Sequence, residues 1–262
     1  MSLIDRPPVP NRVERILAVT RRHVYVYTRD FWANSFPTVL EPLTFILAVG
    51  WGLATAVGRM GGTDYLSFLA PAQAMIAAVY TAAFEESYGA YFRLRVDHNY
   101  DSMLVTPVGV DEIFWGELLY TGLKGVFYSA IVIGVLALFG TVHSPCALAI
   151  PLVGFFTSLA SGSLGLYAVR FVTSLNQFNF FISGVISPLI LFSGTLFPIA
   201  SLPAALQIVA RWLPLYPMVG LARMLNTGVF APEWPWLLLY ALTVPCLMAA
   251  FAVRLMRARL IQ

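Results

Sequence analysis

Along this chain, long apolar runs alternate with short polar interruptions. Six runs approach the ~20 residues an α-helix needs to cross a hydrocarbon core: Phe36–Val57, Tyr65–Tyr88, Leu118–Phe139, Ala147–Val169, Phe178–Phe197 and Pro235–Leu255. They predict six transmembrane helices. A further apolar stretch between Pro198 and Glu233 is interrupted by Pro203, Pro214 and Pro217 and is too broken to span. It predicts two short helices, near 202–213 and 216–227. Irregular backbone at membrane depth has to be buried in protein or line a wet cavity, so these two form an expected hairpin dipping into the outer leaflet. Before the first run, Val13, Ile16, Leu17, Thr20, Val24, Tyr27 and Phe31 recur at helical three- and four-residue steps, with arginines on the other faces. This pattern predicts an amphipathic helix along the inner leaflet; a solvated cytoplasmic helix is the plainer alternative.

Composition agrees with the pattern. Charged residues are 11% of the chain, against about 25% in a soluble domain, so most of the surface faces lipid. The expected fold is an all-α polytopic membrane protein, a single transmembrane domain over residues 1–262. An even number of spans puts both termini on one side, and arginine asymmetry selects which side. With cytoplasmic termini, the inner segments hold Arg6, Arg12, Arg15, Arg21, Arg22, Arg29, Arg93, Arg95, Arg170, Arg254, Arg257 and Arg259, and the outer ones hold Arg59, Arg211 and Arg223. The expected location is a bacterial cytoplasmic membrane, with membrane lipids as neighbours and no nucleic-acid partner. The first apolar run begins only near Phe36, so no cleavable leader is expected. Trp32, Trp115, Trp234 and Trp236 fall at span ends, as interfacial anchors do.

Candidate chemistry is sparse. Charges inside a bilayer are functional candidates by default. Glu41, beside Pro42, is either a polar contact on a translocation route or interface, or a carboxylate satisfied by a neighbouring helix. Glu85 and Glu86, followed by Arg93 and Arg95, predict an ion-pair cluster at the cytoplasmic edge and are also candidates for the path or an interface; a proton relay is the weaker alternative, since no chain of acids or histidines continues across the membrane. Phe192 and Phe197 are further candidates for the path or an interface. The single lysine, Lys124, is followed by Gly125, so the chain has no G-x-x-x-x-G-K-[ST] phosphate loop. Asp97 and Asp101 share the D-x-x-x-D spacing of some lipid-headgroup transferases, but the other elements of that family are missing. His23, His98 and His143 sit far apart, and no catalytic, metal or cofactor site is expected. Cys146 and Cys246 are expected at different depths as buried apolar residues, too far apart to bridge.

The most polar interruption is HNYDSMLVTPVGVDEIFWGE, residues 98–117. Tyr100, Met103 and Leu104 share a helical face, with Asp97, Asp101 and Ser102 on others. Thr106 precedes Pro107 and is biased away from helix. Gly109 allows a turn, and Asp111 with Glu112 opens the next helix with the favourable sign. A protruding cytoplasmic helix with an apolar face is a ready partner site, docking as a helix in a groove.

These residues also carry a family resemblance. PLTFILAVGWGL, YLSFLAPAQAM, FEESYGAYFRL, YDSMLVTPVGVDEIFWGELLYTGLKG and SPLILFSGTLFPIASLPAALQIVARWLPLYP occur in order over nearly the whole chain. In them the chain resembles the membrane subunits of type-2 ABC exporters, within the branch that includes the nodulation-factor (lipo-chitooligosaccharide) exporters. It departs where Glu85 and Glu86 stand in place of one acidic residue. The resemblance implies a permease, not an enzyme: a homodimer bound to two copies of a separate ABC ATPase, which holds the ATP and Mg. By the same resemblance, Tyr100, Asp101, Ser102, Met103 and Leu104 form the coupling helix of a cytoplasmic region at 92–116. The break at Thr106 and Pro107 passes motion to span three, the amphipathic helix within residues 1–35 flanks the docking site, and the hairpin within 198–234 lines the exit. The expected substrate is an amphipathic glycan-bearing lipid or lipo-oligosaccharide, with hydrophobic drugs or antibiotics as the alternative. An ATP-independent secondary transporter or channel is the distant rival, against which stand the lack of inverted repeats and of a continuous polar stripe.

Overall fold

The computed structural model describes residues 10–49, 52, 58–60 and 63–260. Helix α1 (Arg12–Arg29) opens on a capping box. Asn11 Oδ1 accepts from the Glu14 amide at 2.9 Å, and Glu14 Oε2 accepts from the Asn11 amide at 3.0 Å, satisfying two N–H groups that have no helical partner. Its buried residues are Val19, Thr20 and His23. This shifts the expected apolar stripe: Val13, Leu17 and Val24 are exposed. Polar anchoring decides the rotation, because Thr20 Oγ1 donates to Gly116 O at 2.9 Å. A Cβ at Gly116 would stand 2.6 Å from Val19 Cβ, so only glycine allows this approach.

Helix α2 (Phe31–Ala48) starts five residues before the expected span one. The far end of that span, including residues 50, 51 and 53–57, lies outside the described residues. A two-residue antiparallel pair, Arg59–Met60 with Thr63–Asp64, leads into the next helix in the register Arg59↔Asp64 and Met60↔Thr63.

Among the described residues, five helices are long and apolar enough to cross a membrane: Tyr65–Arg95, Val110–Leu138, Pro145–Phe171, Leu175–Phe192 and Trp234–Arg259. They match expected spans two to six, with longer ends for spans two, four and six; span three starts eight residues earlier and ends at Leu138, and span five ends at Phe192, five residues short of the expected Phe197. Span two runs as α3 (Tyr65–Phe84), a π turn (Glu85–Gly89) and α4 (Ala90–Arg95). Beyond it come the short helix α5 (Asn99–Leu104) and span three, α6 (Val110–Leu138). Glu112 accepts the Gly109 amide at 2.6 Å and so caps α6, which begins eight residues before the apolar run that marked it. Span four, α7 (Ile150–Phe171), touches α3, α6 and span six. Its closest approach to α6 is built from small residues. A Cβ on Gly125 would meet Ser158 Oγ at 2.1 Å, and one on Gly154 would meet Ser129 Oγ at 2.2 Å. Where lipid supplies no hydrophobic drive between helices, such close backbone packing is what holds them.

Span five is broken: α8 (Phe178–Phe181), a π turn (Ile182–Ile186) and α9 (Ser187–Phe192). Pro188 has no N–H to give to the fourth preceding carbonyl, and Ser187 Oγ donates five residues back to Ile182 O at 3.1 Å. The proline-broken stretch forms α10 (Ala204–Trp212) and α11 (Leu215–Thr227), bent by 83°, as its sequence predicts. Arg223 on α11 donates to Gly194 O at 2.7 Å, Thr195 O at 3.1 Å and Phe68 O at 3.2 Å. Its guanidinium lies 3.7 Å from the Phe68 ring centroid. These bonds fasten the hairpin to span two and to the turn after span five. Span six is α12 (Trp234–Leu260). Cys146 and Cys246 are unpaired but exposed rather than buried, because Cys146 sits in the turn before α7 and Cys246 on an outward face of α12.

Candidate functional site

A cavity of about 1110 Å³ opens between α1, α2 and spans two, three and five. One part of its wall is apolar, with Phe45, Ile76, Ala77, Ile190, Leu191 and Leu196. The other part carries hydroxyls and charges, among them Tyr27, Tyr120, Tyr128, Lys124, Glu85 and Arg93. Tyr80 and Phe84 add an aromatic face, stacked with centroids 6.2 Å apart. The π turn at Glu85–Gly89 places Glu85 on the wall, consistent with the habit of π turns to occur at functional sites.

Lys124 Nζ lies 2.8 Å from Glu85 Oε2 and 5.0, 5.6 and 5.9 Å from the ring centroids of Tyr27, Tyr120 and Tyr128. An ammonium needs such partners in a site shielded from water, and each ring face adds attraction. The Tyr27 hydroxyl is 2.6 Å from both Ser35 Oγ and the Tyr128 hydroxyl. Burial pushes the Tyr27 phenol up to about 12, so it stays a neutral hydrogen-bonding group.

Behind this wall lies a buried charge cluster. Arg93 Nη1 meets Glu85 Oε1 at 2.7 Å, Arg93 Nε meets Glu117 Oε1 at 2.7 Å, and Arg93 Nη2 stands 3.8 Å from Glu86 Oε2. Thr121 Oγ1 donates to Glu86 Oε1 at 2.5 Å. His23 Nε2 on α1 stands 3.4 Å from Glu117 Oε1. The α5 helix joins the same cluster: the Tyr100 hydroxyl donates to Glu117 Oε2 at 2.7 Å. Burial and the Glu117 carboxylate hold the Tyr100 phenol well above its ordinary range, so it remains a donor. The cluster ties α1, span two, α5 and span three together. Breaking such a buried pair from one side costs about 3–5 kcal/mol, because the remaining charge is left uncompensated.

The expected Glu85–Glu86–Arg93 cluster is therefore present, but Arg95 is not part of it. The α5 face is divided. Tyr100 and Met103 are buried against the protein, not turned toward a partner, while Asp101, Ser102, Leu104 and Val105 are exposed. The reason is the Tyr100–Glu117 bond, which draws that side of the helix inward. Thr106 Oγ1 donates to Met103 O at 2.6 Å and closes the helix ahead of Pro107. Asp97 and Asp101 do not act together: Asp101 Oδ2 is 3.1 Å from His98 Nδ1, and Asp97 Oδ2 accepts from Asn99 at 3.4 Å. Phe192 is exposed and Phe197 half-buried, and neither lines the cavity. The Glu41 side chain lies outside the described residues.

The sequence does not assign Glu117, Thr121, Lys124 or His23 to this site. A signal existed for three of them: Glu117, Thr121 and Lys124 follow at four and three residues, one helical face of polar groups in an apolar span. His23 had none, since its partner is 94 residues away.

Comparison with known proteins agrees with the architecture. The sequence model of a family described as ABC-2 type transporter matches residues 14–226. Nodulation protein J of Rhizobium leguminosarum bv. trifolii is 32% identical over 213 residues, covering 81% of each chain. Nodulation protein J of Rhizobium meliloti (strain 1021) is 30% identical, again over 81% of each chain. The inner membrane transport permease YadH of Escherichia coli (strain K12) is 22% identical over 205 residues, covering 78% of this chain and 79% of the relative.

Proposed function

The chain belongs to the ABC-2 type transporter family, in the branch that holds Nodulation protein J, and from that premise we propose that it is the permease subunit of an exporter of amphipathic glycolipids or lipo-oligosaccharides. Membership of the family implies an ABC ATPase as its partner. In this reading two copies of the permease bind two copies of the ATPase in the bacterial cytoplasmic membrane, with the permease termini in the cytoplasm.

The observation that carries the substrate class is the two-part wall of the cavity. A lipid tail fits against Phe45, Ile76, Ile190 and Leu196. A polar, hydroxyl-bearing head group fits against the tyrosines, Lys124 and Glu85, where fixed polar groups provide orientation. The aromatic face at Tyr80 and Phe84 also favours a second reading, export of a hydrophobic drug. Energy input enters at α5. Its exposed side, with Asp101, Ser102, Leu104 and Val105, seats in a groove of the ATPase. Its buried side, with Tyr100 and Met103, transmits the push to Glu117 and Arg93. The break at Thr106 and Pro107 turns that push into span three, and the α10–α11 hairpin borders the exit.

The test is co-reconstitution with the ATPase in proteoliposomes. ATP-dependent movement of a fluorescent lipo-oligosaccharide, with little movement of a hydrophobic dye, is the expected result. Movement of the dye alone would replace the glycolipid reading with the drug-export one.

A further inference from the structure

A second group of charges does not line the cavity and is not balanced. Arg95 ends span two, Arg170 lies one residue before the end of span four, and Arg259 ends span six. The three helix ends meet at one end of the bundle, where the Arg259 guanidinium bonds the carbonyl of Val169 and the last turns of span two also touch span four. Each arginine alone has an ordinary explanation, since a cation is favourable at a helix C-terminus. Their convergence has none. No ion pair or side-chain hydrogen bond holds Arg95 or Arg170 among the described residues, and the nearby acids are engaged elsewhere. Asp97 accepts from Asn99, and Asp111 pairs with Arg257 at 3.2 Å.

The surroundings are ordered and amphipathic. Tyr91 donates to Thr173 O at 3.0 Å and ties the turn after span four to span two. Val96 and Phe171 are exposed beside the arginines, a bulky apolar rim where the helices leave the hydrocarbon. Three guanidinium groups with free donors, no acid and a greasy rim suit one ligand chemistry, a phosphate carried on a lipid. Guanidinium forks match phosphate oxygens in paired hydrogen bonds, and basic pockets between spans recognise lipid head groups.

We propose that Arg95, Arg170 and Arg259 form a binding site for the phosphate of an anionic phospholipid. None of the three arginines lines the cavity, and the site does not depend on what the protein exports.

The test uses the full-length protein in nanodiscs of phosphatidylcholine, titrated with a fluorescent phosphatidylglycerol and read by energy transfer from the protein's tryptophans. A triple variant, Arg95→Gln with Arg170→Gln and Arg259→Gln, is expected to weaken retention of the probe at least tenfold. The control variant Arg12→Gln with Arg21→Gln and Arg29→Gln removes the same charge from α1 and is expected to leave retention within about twofold. Equal weakening in both variants would show a diffuse surface attraction and overturn the site. Full displacement of the probe by millimolar inorganic phosphate would show a free-anion site and overturn the lipid assignment. If the triple variant keeps the probe but loses co-purification with the ATPase, the arginines face an acidic protein surface, and the proposal fails. Single glutamine variants, each with unchanged thermal melting, separate loss of binding from loss of folding.

Discussion

Tyr100 donates its phenolic hydrogen to Glu117 across 2.7 Å, with both side chains buried. This one bond joins a short helix outside the membrane-spanning segments to the wall of span three. It sits one carboxylate away from Arg93, which in turn holds Glu85 on the cavity wall. A displacement of α5 therefore reaches the cavity through two side chains.

Tyr100→Phe keeps the ring and removes the donor. Loss of a buried hydrogen bond to a charged group costs about 1.5–3 kcal/mol. We expect the ATPase to remain bound while the transport obtained per ATP falls at least tenfold. Co-purification measured beside vesicle transport separates the two effects; a normal transport ratio would remove Tyr100 from the coupling route.

The exposed side of α5 should behave in the opposite way. Leu104→Asp combined with Val105→Asp places charges where Val105 is 87% exposed, so melting should change by under about 1 kcal/mol while co-purification with the ATPase is lost. Met103→Asp instead buries a carboxylate without a partner and should lower the melting temperature of the permease alone. Retained ATPase binding in the double variant would show that the docking face lies elsewhere.

Arg93→Gln removes the cation shared by Glu85 and Glu117. Destabilisation of about 3–5 kcal/mol is expected, read as a loss of thermal stability in detergent. Partial recovery is expected from Arg93→Gln with Glu117→Gln, since the second change removes the stranded charge. A single variant as stable as the parent would mean that the cluster is hydrated rather than buried.

Gly125→Val and Gly154→Val each force a side chain into Ser158 or Ser129. Overpacking of this kind costs roughly 1–3 kcal/mol. The two sites face each other across one helix contact, so their effects should not add. A double-variant melting series checks this; simple additivity would show that the spans shift apart independently.

Much of this architecture was legible in advance. Apolar length alone marked spans two to six, because a helix is the form in which a lipid-embedded backbone satisfies its own hydrogen bonds. Proline positions marked α10 and α11 for the same kind of reason: Pro203 and Pro214 immediately precede the two helices and Pro217 lies in the first turn of α11, where the missing backbone N–H costs no helical hydrogen bond. Glu85, Glu86 and Arg93 were visible as charges out of place. The partners of those charges were not. Glu117 looked like the edge of a polar insert, and Lys124 like a lone cation in a span.

By itself, then, the sequence determined that the chain is a helical membrane protein, where most of its helices run and which short segment breaks out between spans two and three, since these follow from local hydrophobicity and backbone chemistry. Only the tertiary structure decided that Tyr100 turns inward, that His23 and Glu117 meet Arg93, and that three arginines converge at the ends of spans two, four and six. Those arrangements depend on how helices rotate and cross, and that is settled by the close approaches at Gly116, Gly125 and Gly154 and by the pairing of charges buried between them.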